Sequence, residues 1–316
     1  MTTERWPFFQ TPDDPRLTTS APPALIPEHG RWLARLAWLG VAVLPLLVLV
    51  TLLADVIPDP FWNGPAFHFY IVSFTSLLAV FLAITMGLAA RVLADARVTF
   101  LVLAFLGLSG IFTVHALTTP GFVVAAATPW TGFSARLSVT TCALFLALSS
   151  VSWPRRMQRV LLHHQAGLTG AFALLIVAYG AIAMSAAFQA DPTERSTRLV
   201  ARLTQAGASW ALAAVTLAML GFVVIRYGAI YRLSRMPLAA GFVASAIFLA
   251  QAELSMAIAP VWHASWWEYH VLLVAGFTAA AGGLIREYVG TGSLHGLLQG
   301  LLLHDAVAQL PRGYTE

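Results

Sequence analysis

Histidine is the residue type in this chain whose placement suggests chemistry. Four of the nine histidines, His68, His115, His263 and His270, fall at the ends of apolar runs that should surface on one side of a membrane. Neutral imidazole binds Zn, Cu, Fe or Ni, and three or four such nitrogens with an optional carboxylate make a transition-metal site. Glu253 is the candidate carboxylate, because a charge in the outer half of an apolar run is costly without a use or a partner. A heme b held by two of the set, His115 and His270 for example, is a variant of the same reading. The plainer reading is interfacial: histidines bonded to backbone or water at headgroup depth, beside tryptophans and tyrosines that anchor there, with Glu253 protonated or paired with Arg136. No two of the four show a tight His-x3-His pattern, so spacing alone does not decide between the readings.

The stretch Val261-Trp262-His263-Ala264-Ser265-Trp266-Trp267-Glu268-Tyr269-His270 carries two of the four and helps to locate the others. Ser265-x-x-Glu268 reads as a capping box, which starts a helix at Trp266, puts His270 in its first or second turn and assigns Glu268 to capping rather than ligation. Pro65 suits the first turn of another helix, which sets His68 at similar depth. His115 lies in the last turn of a third apolar run, and His263 in the loop before the cap. All four therefore share a depth to within one or two turns of ~5.4 Å. Depth follows from the sequence; lateral adjacency does not. His163 and His164 follow a basic cluster at 155–159 on the opposite side, too far away to join the group.

The elements that must position these residues are membrane helices. Of the 316 residues, 59% are hydrophobic and 10% charged, against about 25% charged in an ordinary soluble domain. Several apolar stretches approach the ~20 residues that cross ~30 Å of hydrocarbon. The expected fold is an all-α integral membrane protein: a bundle of about eight transmembrane helices within residues 31–289, with spans near 32–54, 66–90, 98–117, 134–153, 165–188, 205–225, 238–259 and 266–288. Thr118-Thr119-Pro120-Gly121 breaks the chain after the third span, and residues 122–127 offer a short re-entrant stretch.

Arginine supplies every basic side chain, and lysine is absent, which excludes a retinal Schiff base. The basic excess flanks the spans and so reports topology, not nucleic-acid binding. Arg136, Arg195, Arg198 and Arg202 fall outside and the remaining arginines inside, so both termini are expected in the cytoplasm, with the chain multi-pass in a bacterial inner membrane. Cys142 is the single cysteine; an internal disulfide and a Cys-x-x-Cys motif are excluded.

Residues 1–30 are rich in Pro, Thr and Asp and read as a disordered cytoplasmic tail. In the final segment, 290–316, Ser293 is placed as an N-cap and Leu294, Leu297, Leu298, Leu301 and Leu302 fall at helical spacing. An amphipathic connector helix is expected there, lying on the membrane or pairing with a copy of itself, and the chain is expected to continue beyond it. Gly276, Ala280 and Gly283 form a small-residue stripe for close helix packing, within the bundle or across a homodimer.

Three stretches together carry a family likeness. They are Phe67-His68-Phe69-Tyr70-Ile71-Val72-Ser73; Ala96-Arg97-Val98-Thr99-Phe100-Leu101 running on to Val114-His115-Ala116-Leu117-Thr118-Thr119-Pro120-Gly121; and Trp266-Trp267-Glu268-Tyr269-His270-Val271-Leu272-Leu273. They resemble the N-terminal multi-span membrane region of bacterial signalling proteins that carry cyclase, HD-GYP, GGDEF, GAF or histidine-kinase domains downstream. The tail at 293–314 resembles the connector that enters such output domains. The resemblance implies a sensory membrane module that acts on a cytoplasmic output domain or effector and has no enzymatic activity of its own. A membrane metalloenzyme or electron-transfer subunit using the same histidines is the second expectation, and a subunit of a larger complex without a site the third.

Overall fold

The computed structural model describes residues 28–93, 95–189 and 194–292. The expected N-terminal tail and the C-terminal connector helix lie, apart from their innermost residues, outside the described residues. The chain divides into two units, residues 1–40 and 41–316. Of the first, the described part is the opening of helix α1, Glu28–Leu53.

The second unit takes up the rest of α1 and adds α2 (Pro65–Val92), α3 (Ala96–Leu117), α4 (Pro129–Ser149), α5 (Arg155–His163), α6 (Gln165–Gln189), α7 (Arg195–Leu203), α8 (Ala206–Ser234), α9 (Pro237–Ile258) and α10 (Ala264–Thr291). Eight of these helices are long and apolar enough to cross a membrane. Their outward faces carry large apolar side chains such as Leu77, Leu174, Val177, Ile225 and Val271, which water would not tolerate in such numbers but lipid would. The protein is an all-α, multi-pass membrane protein. α3 is the most enclosed span, buried from Ala96 to Ala116 over most of its residues. It packs against α2, α4 and α6; α2 also meets α10, and α9 lies between α10 and α8.

Local chemistry sets the helix ends. Proline stands in the first turn of α2, α4 and α9, where its missing N–H costs no helix bond. Asp95 caps α3 by accepting from the Arg97 amide at 2.7 Å and also pairs with the Arg97 guanidinium at 2.9 Å. α10 closes on Gly292 at φ 65°, a left-handed position that suits glycine. Glu194 caps α7, accepting from the Ser196 and Thr197 amides and from both hydroxyls. These four donors hold its carboxyl well below the ordinary range, at about 2.

Several expected boundaries move. The fourth span begins at Pro129, five residues before the expected start, and ends at Ser149 rather than at 153, because Thr128 and Pro129 form a better start signal than Ser134. The sixth span runs on to Ser234, carrying Arg226 and Arg232 within its helix; long arginine side chains can reach the interface from inside a span. The polar stretches at 155–163 and 195–203 fold as two short amphipathic helices, α5 and α7. Residues 121–127 form a turn and bend rather than a re-entrant helix: Gly121, at φ 88°, donates to the Val124 carbonyl at 2.9 Å, and Phe122 stacks on Phe69 at 4.3 Å.

The small-residue stripe is used inside the chain. A Cβ added at Gly283 would come within 2.7 Å of the Pro237 carbonyl and 3.1 Å of Gly241 Cα, and one added at Gly241 within 2.7 Å of the Ala279 carbonyl. α9 and α10 therefore touch backbone to backbone at these two glycines.

Candidate metal centre

His68 leaves the first turn of α2, His115 the last turn of α3 and His270 the second turn of α10. All three are buried, and one nitrogen from each can be chosen so that the three lie within 4.8 Å of one another. His68 stands edge-on to both partners, with ring centroids 4.8 Å from His115 and 4.7 Å from His270. The depth argument thus brings together three residues that are 47 and 155 positions apart in sequence.

The hydrogen bonds assign the protons. The His115 Nδ1 lies 2.9 Å from the Thr131 carbonyl, which can only accept, so Nδ1 carries the hydrogen and Nε2 the lone pair. Thr119 gives its hydroxyl hydrogen to the His115 carbonyl at 2.9 Å. In that arrangement its oxygen accepts from His68 Nδ1, 3.1 Å away; with the hydroxyl turned to Nδ1 instead, His68 Nε2–H donates to His115 Nε2. In the first arrangement both Nε2 atoms keep lone pairs and face each other at 3.1 Å. Two such lone pairs repel unless a cation lies against them, either a shared proton or a metal ion. Three nitrogens ~2.0–2.1 Å from one metal at tetrahedral angles are about 3.3 Å apart, close to this separation. Among the described residues, neither nitrogen of His270 has a hydrogen-bond partner. The Tyr269 hydroxyl reaches His115 Nε2 at 3.2 Å.

Two expected residues stand apart. His263 is not in the cluster: its Nδ1 donates to the Asp59 carbonyl at 2.9 Å, and its ring packs edge-on against Phe61. Glu253 is buried with no hydrogen-bond partner for either carboxyl oxygen and lies outside the three-histidine group. Arg136, its expected partner in the alternative reading, makes no hydrogen bond to it; the guanidinium bonds to the Met256 carbonyl at 2.8 Å and the Ser209 carbonyl at 3.4 Å.

The start of α10 also differs from the expected capping box. The N-cap is His263, with no side-chain bond of its own, and the helix opens at Ala264. Asp59, from the loop after α1, does the capping from outside: its carboxylate accepts from the Ser265 amide at 2.8 Å and the Ser265 hydroxyl at 2.7 Å. The Ser265 amide that a capping box would give to Glu268 goes to Asp59 instead, and one Glu268 carboxyl oxygen has no partner among the described residues. The same loop holds Trp262 at φ 68°, an uncommon conformation for a bulky residue, and the Trp262 carbonyl accepts from the Trp62 amide at 2.7 Å. His270 is thus placed by a loop more than 200 residues earlier in the chain.

Beside the histidines lies a cavity of about 380 Å³, within the size range of small-molecule sites. His68, His115 and Tyr269 form one wall, Trp262 and Trp266 another, and Arg136 also lines it. Thr119, Thr131, Tyr269 and Asp59 were not singled out by the sequence. Tyr269 adjoins His270, but nothing local marks the threonines or the aspartate as supports for a site.

The class these features define is a multi-pass membrane protein, with eight helices long and apolar enough to span among the described residues and a buried three-histidine cluster at one end of the bundle. Comparison with protein-family models, with curated proteins and with solved structures finds no match to this chain.

Proposed function

We propose that the protein is a sensory module of a bacterial inner membrane, in which His68, His115 and His270 bind a transition-metal ion at the outer face. The observation that carries the reading is the approach of His68 Nε2 and His115 Nε2 to 3.1 Å, with the Nδ1 of each ring beside an oxygen atom. A metal-binding histidine characteristically donates its other ring nitrogen to an oxygen acceptor, which fixes the tautomer. His115 has that arrangement, and His68 has it when Thr119 accepts from its Nδ1. Copper and zinc suit a three-imidazole set best. Heme is the weaker variant, because His68 occupies the space between His115 and His270 that a macrocycle would need.

The sensor reading rests on where the ligands sit. The His68–His115 pair already has a separation near that of a metal site, so any further closure falls to His270 on α10, whose nitrogens are held by no other group. Metal binding would draw the start of α10 toward α2 and α3. α10 then leads to segment 293–310, the expected connector to a cytoplasmic effector. A ligand shifts such an equilibrium only as far as its affinity differs between the two states.

The test is elemental analysis of the purified chain after exposure to Cu or Zn, with a visible spectrum of the same sample. One metal ion per chain, lost in a His68→Ala/His115→Ala double variant that retains its thermal transition, is the expected result. A Soret band would favour heme instead. Protein that takes up neither metal nor heme would overturn the reading.

A further inference from the structure

We infer that the cavity beside the three histidines receives a monoanion with an apolar body, of the aliphatic carboxylate type, whose negative end meets both the bound metal and Arg136. The inference rests on the three-histidine metal reading and adds the ligand class. Three observations carry it. His68 and His115 line the cavity and His270 does not, so a ligand in the cavity approaches the metal from the side of those two histidines; three protein ligands with an open fourth position is the arrangement that admits an exogenous ligand. Arg136 supplies positive charge to the lining, and among the described residues its guanidinium bonds to two backbone carbonyls, one of them at 3.4 Å. A guanidinium has five N–H donors, so donors remain for a ligand. Its nearest carboxyl group, Glu253, makes no hydrogen bond to it, so no hydrogen-bonded carboxylate occupies the guanidinium. A divalent metal held by three neutral imidazoles beside an arginine leaves the site with a surplus of positive charge in a low-dielectric setting, where charge attraction is strong.

The remaining wall selects the body of the ligand. Trp262, Trp266, Pro120 and Met256 present apolar surface. The Tyr269 hydroxyl, on the same wall and 3.2 Å from His115 Nε2, would turn its hydrogen to a metal-bound oxygen once the metal takes the His115 lone pair.

The experiment loads the purified full chain, in detergent, with cobalt(II), whose visible absorption responds to coordination number, and titrates it with azide as the spectroscopic monoanion and with propionate as competitor. A saturable spectral change with azide, reversed by propionate, is expected. Arg136→Gln should weaken azide roughly 10-fold or more, the scale of a charge-assisted hydrogen bond, while cobalt stoichiometry stays at that of the unaltered chain. Gly132→Asp provides an independent arm: Gly132 lines the cavity, and an added Cβ there meets nothing within 4 Å, so the new negative charge should weaken azide without disturbing packing. A cobalt-loaded protein whose spectrum azide does not move, or azide affinity unchanged in both variants, overturns the inference and leaves the metal reading standing. A chain that takes up no cobalt overturns both.

Discussion

The decisive chemistry at the residue scale is done by groups that would not touch the metal. Thr119 lies within hydrogen-bond distance of both the His115 carbonyl and His68 Nδ1, and giving its single proton to the carbonyl makes its oxygen the acceptor that puts the His68 hydrogen on Nδ1. Thr119→Val removes the acceptor and keeps the shape. Metal affinity is expected to fall 10- to 100-fold, the usual cost of losing such an outer partner, while Thr119→Ser restores most of it. Competition against a chromogenic chelator measures both, and equal affinity in all three proteins would show that the threonine does not set the tautomer. The sequence made His68, His115 and His270 visible because depth along a span can be counted from caps and prolines. It left Thr119 and Thr131 unmarked, because a threonine in a breaker or at a helix start is ordinary and its use depends on a partner from another helix. His263 illustrates the opposite failure. Its depth was right, yet Asp59 takes its Nδ1 and holds it in the loop.

At the scale of elements, the helices meet through compensations that no periodic pattern displays. Pro45 lies inside α1, so the carbonyl four residues earlier, on Val41, loses its helical donor. Gln251 of α9 donates to the Val41 carbonyl at 3.1 Å and the Ala42 carbonyl at 2.9 Å, which replaces the lost bond and ties this part of α1 to the bundle. Gln251→Leu should destabilise the protein by about 1–3 kcal/mol, the cost of an orphaned buried acceptor. In a Pro45→Ala background, where the helix supplies its own donor, the same change should cost less. A double-mutant cycle on thermal unfolding measures the difference, and equal costs in both backgrounds would mean that Gln251 does not serve the proline break. The cap of α7 responds to pH instead. Glu194 has a folded pKa of about 2 against an ordinary 4.5, so its contribution is complete above pH 4.5 and lost as pH falls toward 2. Glu194→Gln should flatten the acid dependence of α7 amide exchange across that window. Here the sequence was legible for the eight apolar spans and Pro65, but not for α5 and α7, whose amphipathic faces are too short to outweigh their charge. It misassigned the start of α10, because a local capping box competed with a distant aspartate and the aspartate won.

For the whole molecule, the proposal depends on which side of the membrane holds the histidines. The two ends of the bundle differ in kind. One gathers His68, His115, His270 and the aromatic loops; the other carries α5 with Arg155, Arg156 and Arg159. Basic segments favour the cytoplasmic side, and by that rule the histidine end is expected outside. Arg195, Arg198 and Arg202 of α7 oppose that assignment, since they lie between the ends of α6 and α8 that are remote from α5. A direct measurement therefore carries more weight than the arginine balance. The native Cys142 is fully buried in α4 and should give little background labelling. Val261→Cys, in the loop before α10, and Val160→Cys, on α5, are both at exposed positions, 59% and 60%. A membrane-impermeant maleimide should label the first in intact cells and the second only after lysis. The reverse pattern would put the three histidines on the cytoplasmic side, where the metal would come from the cell's own pool, and a sensor of the outside could not be built on them. The expected pattern instead has α10 begin at an externally supplied metal and end on the side where an effector can respond.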